Sequence, residues 1–166
     1  MHKLCIPLFS IFCVSSSALA DVPVYRDHTL SISEALVETD SGTSYYSDIK
    51  LSANPDGSFE LVQAQQLAAA HVDEVTLHVA QTEPVTVSVE ISGYLPSPCY
   101  QLEEPAVMRD GTTFTIVLAQ RPLQTFVACI QIIEPFTVFA PLNIKGLQAG
   151  HYSVIVNGKT SRFDLP

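Results

Sequence analysis

The residues of this 166-residue chain that could do chemistry are four cysteines, five histidines and seventeen aspartates and glutamates. Their spacing narrows what that chemistry could be. Metal centres take ligands at fixed intervals such as H-x-x-x-H or H-E-x-x-H. His28, His71, His78 and His151 show no such interval, and His71 and His78, seven apart, would face opposite sides of one strand. A G-x-S-x-G nucleophile turn is missing. The neighbouring carboxylates Glu103-Glu104 and Asp73-Glu74 would project to opposite strand faces rather than converge on a substrate. Asp40-Ser41-Gly42 and Asn54-Pro55-Asp56-Gly57 offer oxygens for calcium but lack the D-x-D-x-D-G order, and turn chemistry accounts for both. The sequence therefore predicts no catalytic residue, no metal and no cofactor.

The cysteines divide by compartment. Met1-His2-Lys3 is short and basic, Leu4 to Val14 is apolar, and Ala18-Leu19-Ala20 closes the stretch with an A-x-A pattern. That is the layout of a cleavable secretory signal over residues 1–20, with Asp21 as the new N-terminus. The apolar run falls well short of the roughly 20 residues of a bilayer span. Cys5 and Cys13 leave with the signal, and the bulky Phe12 before Cys13 argues against lipidation there. Cys99 and Cys129 remain, and an even pair in an oxidising compartment is expected to close as a disulfide. The expected location is periplasmic or secreted.

The whole chain carries 8 basic against 17 acidic residues, and loss of Lys3 takes its formal charge from −9 to −10. Phosphate backbones and anionic lipid surfaces repel such a chain, so no nucleic-acid partner and no membrane span are expected.

The elements that must position these residues are strands. Val85, Val87, Val89 and Ile91 alternate with polar residues, as do Val75, Leu77 and Val79, then Phe114, Ile116 and Leu118. Such period-2 runs mark half-buried antiparallel strands. Asn157-Gly158 between Tyr152, Val154, Val156 and residues 159–164 is a strong hairpin signal. Seven or eight strands are predicted near 73–80, 84–92, 100–108, 112–119, 125–133, 136–142, 151–156 and 159–164, with 125–133 as an apolar central strand. Ala64 to Ala70 has helix composition and is expected to form a single turn. Upstream, Leu30/Ile32, Ile49/Leu51 and Phe59/Leu61 alternate around the Asn54–Gly57 turn, a β-meander of about three strands. It is too poor in large apolar residues to fold alone and should pack on the sandwich or on another subunit. The expected organisation is a signal at 1–20, a meander module at 21–68 and a sandwich at 69–166.

The run Gly146 to Val156 resembles the tyrosine-corner stretch of fibronectin-III and immunoglobulin-like domains. The resemblance implies that the Tyr152 hydroxyl bonds back to the backbone and pins the corner. Leu95-Pro96-Ser97-Pro98-Cys99, Gln120-Arg121-Pro122, Ala128-Cys129 and Glu134-Pro135-Phe136 extend it to an immunoglobulin-like domain that recurs in exported bacterial proteins. Tyr45 to Ile49 with Asp56 to Phe59 likewise resembles a small β-module found near the N-termini of such proteins. The implied fold class is all-β, an immunoglobulin-like antiparallel β-sandwich preceded by a small β-meander. One departure stands out: two residues after the corner tyrosine, where the immunoglobulin cysteine would fall, the chain has Val154. Cys99–Cys129 must therefore join other elements.

The candidate binding surface is the loop carrying Tyr94, Leu95, Pro96, Pro98 and Tyr100, with Arg121 nearby. Two prolines and a disulfide would stiffen it, and a rigid loop with aromatic anchors loses little entropy on binding. The expected function is a non-enzymatic binding or accessory protein with a protein partner. The alternatives are an assembly subunit that self-associates through residues 21–63, and a hydrolase or hydrolase inhibitor.

Overall fold

The computed structural model describes residues 22–39, 42–123 and 128–166. The expected signal with Asp21, Asp40 and Ser41, and Gln124 with residues 125–127 of the expected central strand lie outside them. Every regular element among the described residues is a strand. In chain order they are β1 (Val24–Arg26), β2 (Thr29–Thr39), β3 (Gly42–Ala53), β4 (Phe59–Ala69), β5 (His71–Ala80), β6 (Thr86–Leu95) and β7 (Tyr100–Leu102). There follow β8 (Ala106–Asp110), β9 (Thr113–Val117), β10 (Ala119–Pro122), β11 (Glu134–Leu142), β12 (Gly150–Val156) and β13 (Lys159–Leu165).

Two small sheets, β11-β6-β5 and β13-β12-β9-β8, enclose the main core. Alternation dictates what they bury. Val87, Val89 and Ile91 of β6 meet Phe114 and Ile116 of β9 and Val154 and Val156 of β12, all sealed from solvent. The rings of Phe114, Tyr152 and Phe163 cluster with centroids 5.5 to 6.3 Å apart. Such centroid spacings are those of favourable offset or tilted aromatic pairs. The all-β sandwich is thus as expected, with one local difference: β12 pairs antiparallel with β13 but parallel with β9.

A third sheet, β1-β2-β3-β4-β10-β7, contains the meander. It also recruits β7 and β10 from the sandwich half of the sequence. The strand expected at 100–108 therefore breaks at Glu103–Pro105 into β7 and β8, which belong to different sheets. Pro105, with no N–H to offer a ladder, lies in that break. The strand expected at 112–119 likewise divides at Leu118 into β9 and β10.

Two other expectations are corrected. Ala64 to Ala69 belong to β4, not to a helical turn. Ala68 and Ala69 pair with Gln120 and Ala119, and Leu67 pairs with Tyr45. Ladder bonds and burial of Leu67 outweigh an intrinsic helix preference of a few tenths of a kcal/mol, roughly, per residue. Residues 128–133 are not a central strand: they form no ladder, and Ile130, Ile132 and Ile133 are exposed. Cys129 is covalently tied to Cys99, which places the segment beside the β6–β7 loop rather than between two strands.

Two of the places where the chain crosses between the third sheet and the sandwich are Ala70 and Leu118. Both crossings converge on one side chain. Asn157 and Gly158 turn the β12–β13 hairpin with φ of 44° and 88°, the left-handed pair that a type I′ turn requires. The Asn157 Nδ2 donates to the carbonyls of Ala70 (2.9 Å) and Leu118 (2.8 Å), and its Oδ1 accepts from the Leu118 N–H (3.0 Å). The Ala70 N–H also donates to the Leu118 carbonyl at 2.8 Å.

Candidate functional site

The loop singled out in the sequence is built around the disulfide. Cys99 and Cys129 are bonded with Cα atoms 6.0 Å apart. The Ser97 hydroxyl is buried beneath them, 3.0 Å from the Cys129 Sγ, and accepts from the Cys99 N–H at 3.3 Å. Leu95 is buried, Tyr100 is half-buried, and only Pro96 and Pro98 stand fully in solvent. The Tyr94 ring lies 4.2 Å from the His71 ring. Leu95 thus serves the fold itself, and the loop's accessible surface is two prolines with parts of the Tyr94 and Tyr100 rings. Replacing both cysteines by serine is expected to lower the unfolding free energy by about 3 kcal/mol, from the loop of 30 residues that the bond closes in the unfolded chain. Urea denaturation of the oxidised protein and the double variant measures this.

Arg121 pairs through its backbone with Gln101, next to that loop, but its side chain points elsewhere. Its Nε donates to Glu103 at 2.7 Å and its Nη1 reaches Asp48 at 3.4 Å. The hydrogen bond to Glu103 is the main cause holding Arg121 more firmly protonated than usual. These groups line a cleft of about 990 Å³ between the third sheet and the β7–β8 segment, together with Glu34, Tyr45, Ser47, Ile49 and Glu104. Glu103 and Glu104 thus share one cleft, against the expectation of opposite faces, because they sit in the irregular segment between β7 and β8 and not in a strand.

Tyr45 closes the floor of the cleft, and its hydroxyl donates to Glu34. Burial first, then the hydrogen bond and charge of Glu34, push the Tyr45 pKa well above its ordinary 10.0, and Arg121 opposes them. The sign follows: the folded state keeps the protonated phenol, so its contribution is intact below the unfolded value and is lost as pH rises above it. Spectrophotometric titration is expected to show one tyrosine that ionises only as the protein unfolds in alkali, and Tyr45→Phe to remove that late phase. Chemically the cleft supplies two cations (Arg121 and Lys50), four carboxylates and four hydroxyls. It can hydrogen-bond a polar ligand, yet the Ser47 hydroxyl is turned to Asp48, and no histidine lines the cleft.

The histidines pair singly with carboxylates: His71 with Asp73 (3.1 Å), His78 with Glu90 (2.7 Å) and His151 with Asp164 (2.5 Å). His71 and His78 share one face, contrary to the count of seven residues. A bulge between Val72 and Glu74 inserts one residue, so His71 opposes Tyr94 and His78 opposes Ser88. Among the described residues no three such side chains gather as a metal site, and no helix is long and apolar enough to cross a membrane. The Tyr152 hydroxyl donates to the Gln148 carbonyl at 2.8 Å, four residues back.

The meander presents a further surface, which sequence reasoning did not identify as such. Its inner half packs on the body: Tyr45, Leu67 and Leu36 meet Val117, Ala119 and Ala106. Its outer half, the distal arm, has two chemically different faces. One bears the cross-strand row Tyr25–Leu30–Leu51–Leu61, flanked by the pairs Ile32–Ile49 and Ala53–Phe59. The other bears the row Arg26–Thr29–Ser52–Glu60. Tyr25, Phe59 and Leu61 remain 57%, 52% and 60% exposed on the apolar face. The signal for this surface was the alternation itself. What it could not show is that the sandwich covers only the inner half.

Comparison with known proteins places this architecture. The ORF11 beta-sandwich domain matches residues 89–165, from within β6 to the end of β13, so the arm lies N-terminal to the matched residues. An uncharacterised 10.2 kDa protein in the HgiCIIM 5′ region of Herpetosiphon aurantiacus is 35% identical over 88 residues, which are 52% of this chain and 89% of that protein. No solved structure matches. With a relative of this similarity covered over nearly its whole length, the chain belongs to the same family as that 10.2 kDa protein, and its residues 89–165 match the ORF11 beta-sandwich domain.

Proposed function

We propose that this chain is an exported, non-enzymatic binding or accessory protein whose docking element is the distal arm of the meander. The observation that carries the reading is the uncovered apolar face of that arm. An antiparallel sheet with one apolar and one polar face normally packs the apolar face against something. The signal-like residues 1–20 and the Cys99–Cys129 bond support export, and the tyrosine corner at Tyr152 supports an immunoglobulin-like type for the sandwich. Export predicts that protein purified from a bacterial envelope begins at Asp21 and gains two hydrogens in mass on reduction. Retention of residues 1–20, or no gain, counts against it. Docking predicts that a photo-crosslinker at Leu61 forms adducts in a native envelope extract that the same group at Val107, exposed on the sandwich, does not. Equal yields from both positions would remove the arm as the docking element.

A second reading, an assembly subunit, is favoured by the outer edge of β4. Among the described residues β4 pairs with β10 only at Ala68 and Ala69, so Phe59–Leu67 has no second neighbour in the ladder. An open apolar edge of this length is a template for another strand.

A further inference from the structure

We infer that the apolar face of the arm is covered by the same face of a second copy of this chain, giving a two-fold dimer in which two arms stack as a small sandwich. The inference rests on the arm being the docking element and names its occupant. Three observations select a second copy. The first is charge. A chain of net charge −9 repels its own copies over most of its surface. The stacked face is neutral: Tyr25, Leu30, Leu51, Phe59 and Leu61 carry no charge, whereas Arg26, Lys50 and Glu60 of the same strands do. Two copies therefore meet here without opposing like charges.

The second is symmetry. A two-fold contact requires a patch that is complementary to itself. A sheet face of alternating large and smaller apolar residues satisfies this, since two such faces interdigitate at the aligned angle of packed sheets. The third is area. Tyr25, Phe59 and Leu61 each expose on the order of 100 Å² of side chain, a little over half of a large residue's surface. With the half-buried Leu30, Leu51 and Ala53 the apolar patch reaches about 400 Å² per arm, large for a monomer that keeps it uncovered. A standard interface buries about 800 Å² per partner, a little over half of it apolar. The patch meets that apolar share without exceeding it, so the dimer is reversible rather than permanent.

The test is sedimentation velocity of the oxidised mature chain from about 1 to 200 μM, with three single variants. Leu61→Lys and Phe59→Lys change the stacked face. Glu60→Lys is the control: Glu60 is exposed and lies between Phe59 and Leu61 in sequence, but belongs to the Arg26–Thr29–Ser52–Glu60 row on the opposite face. The expected result is a wild-type dimer whose dissociation constant rises at least about tenfold with Leu61→Lys or Phe59→Lys and changes less than about twofold with Glu60→Lys. Unchanged thermal midpoints show that the variants fold. A wild-type chain that stays monomeric across the range overturns the second copy as occupant, while crosslinks from Leu61 to another protein would still uphold the arm as docking element. Dissociation by Glu60→Lys as strong as by Leu61→Lys overturns stacking in favour of pairing along the β4 edge.

Discussion

Replacing Asn157 by alanine is expected to cost about 3–5 kcal/mol of unfolding free energy, from three lost hydrogen bonds to backbone and the left-handed conformation that alanine resists. The side chain satisfies Ala70 and Leu118 where the chain leaves one sheet for another, and strand ladders do not serve those groups there. Leu118 is fully buried, so water does not simply replace the lost carboxamide. Two companion variants separate the causes. Asn157→Gly keeps the turn conformation and isolates the hydrogen bonds, at about 2–3 kcal/mol. Asn157→Asp keeps the size but turns a carboxylate oxygen toward two carbonyls, so it should be at least as damaging as alanine at neutral pH and partly recover in acid, where a protonated carboxyl can donate to one of them. Urea denaturation at two pH values reads all three. Equal losses for Gly, Ala and Asp would mean that the side-chain bonds matter less than the geometry indicates.

A methyl group at Gly93 is expected to be comparably disruptive, at about 4 kcal/mol, or roughly 10 °C or more in thermal midpoint. A Cβ there would lie 2.0 Å from the carbonyl oxygen of His71 and 2.8 Å from Cζ of Phe136. The first of these is backbone and cannot swing aside without parting β5 from β6. The bare Gly93 is what lets β5 bulge at Asp73 and bring His71 under Tyr94. Gly93→Ala should therefore also change the near-ultraviolet tyrosine signal, whereas Gly111→Ala, where nothing lies within 4 Å, should cost only the roughly 1–2 kcal/mol of alanine at a φ of 55° and leave that signal unchanged.

Local pattern made several parts of this architecture legible. The alternation from Val85 to Ile91 marks β6 because a half-buried strand needs nothing beyond its own period. Asn157-Gly158 marks a hairpin because few other pairs accept two left-handed residues. The misreadings share one cause, which is that pairing partners are chosen over long range. Ala64 to Ala69 compose a helix locally but are claimed by β3 and β10. Residues 128–133 compose a strand locally but lie where no ladder reaches them. A single bulge residue reverses the face of His71 relative to His78, and no count along the chain reveals an inserted residue.

The candidate site divides in the same way. By itself the sequence determined the alternation of Leu30, Leu51, Phe59 and Leu61 in the arm and the acidic charge, since each depends only on residue type and interval. Only the tertiary structure decided that Arg121 turns away from the Pro/Tyr loop to Glu103 and Asp48, that Leu95 is buried while Tyr94 lies against His71, and that the sandwich covers half of the meander and leaves the rest bare. The physical reason is that burial is a property of what lies opposite a side chain. A row such as Tyr25–Leu30–Leu51–Leu61 reads the same along the chain whether a second sheet faces it or not.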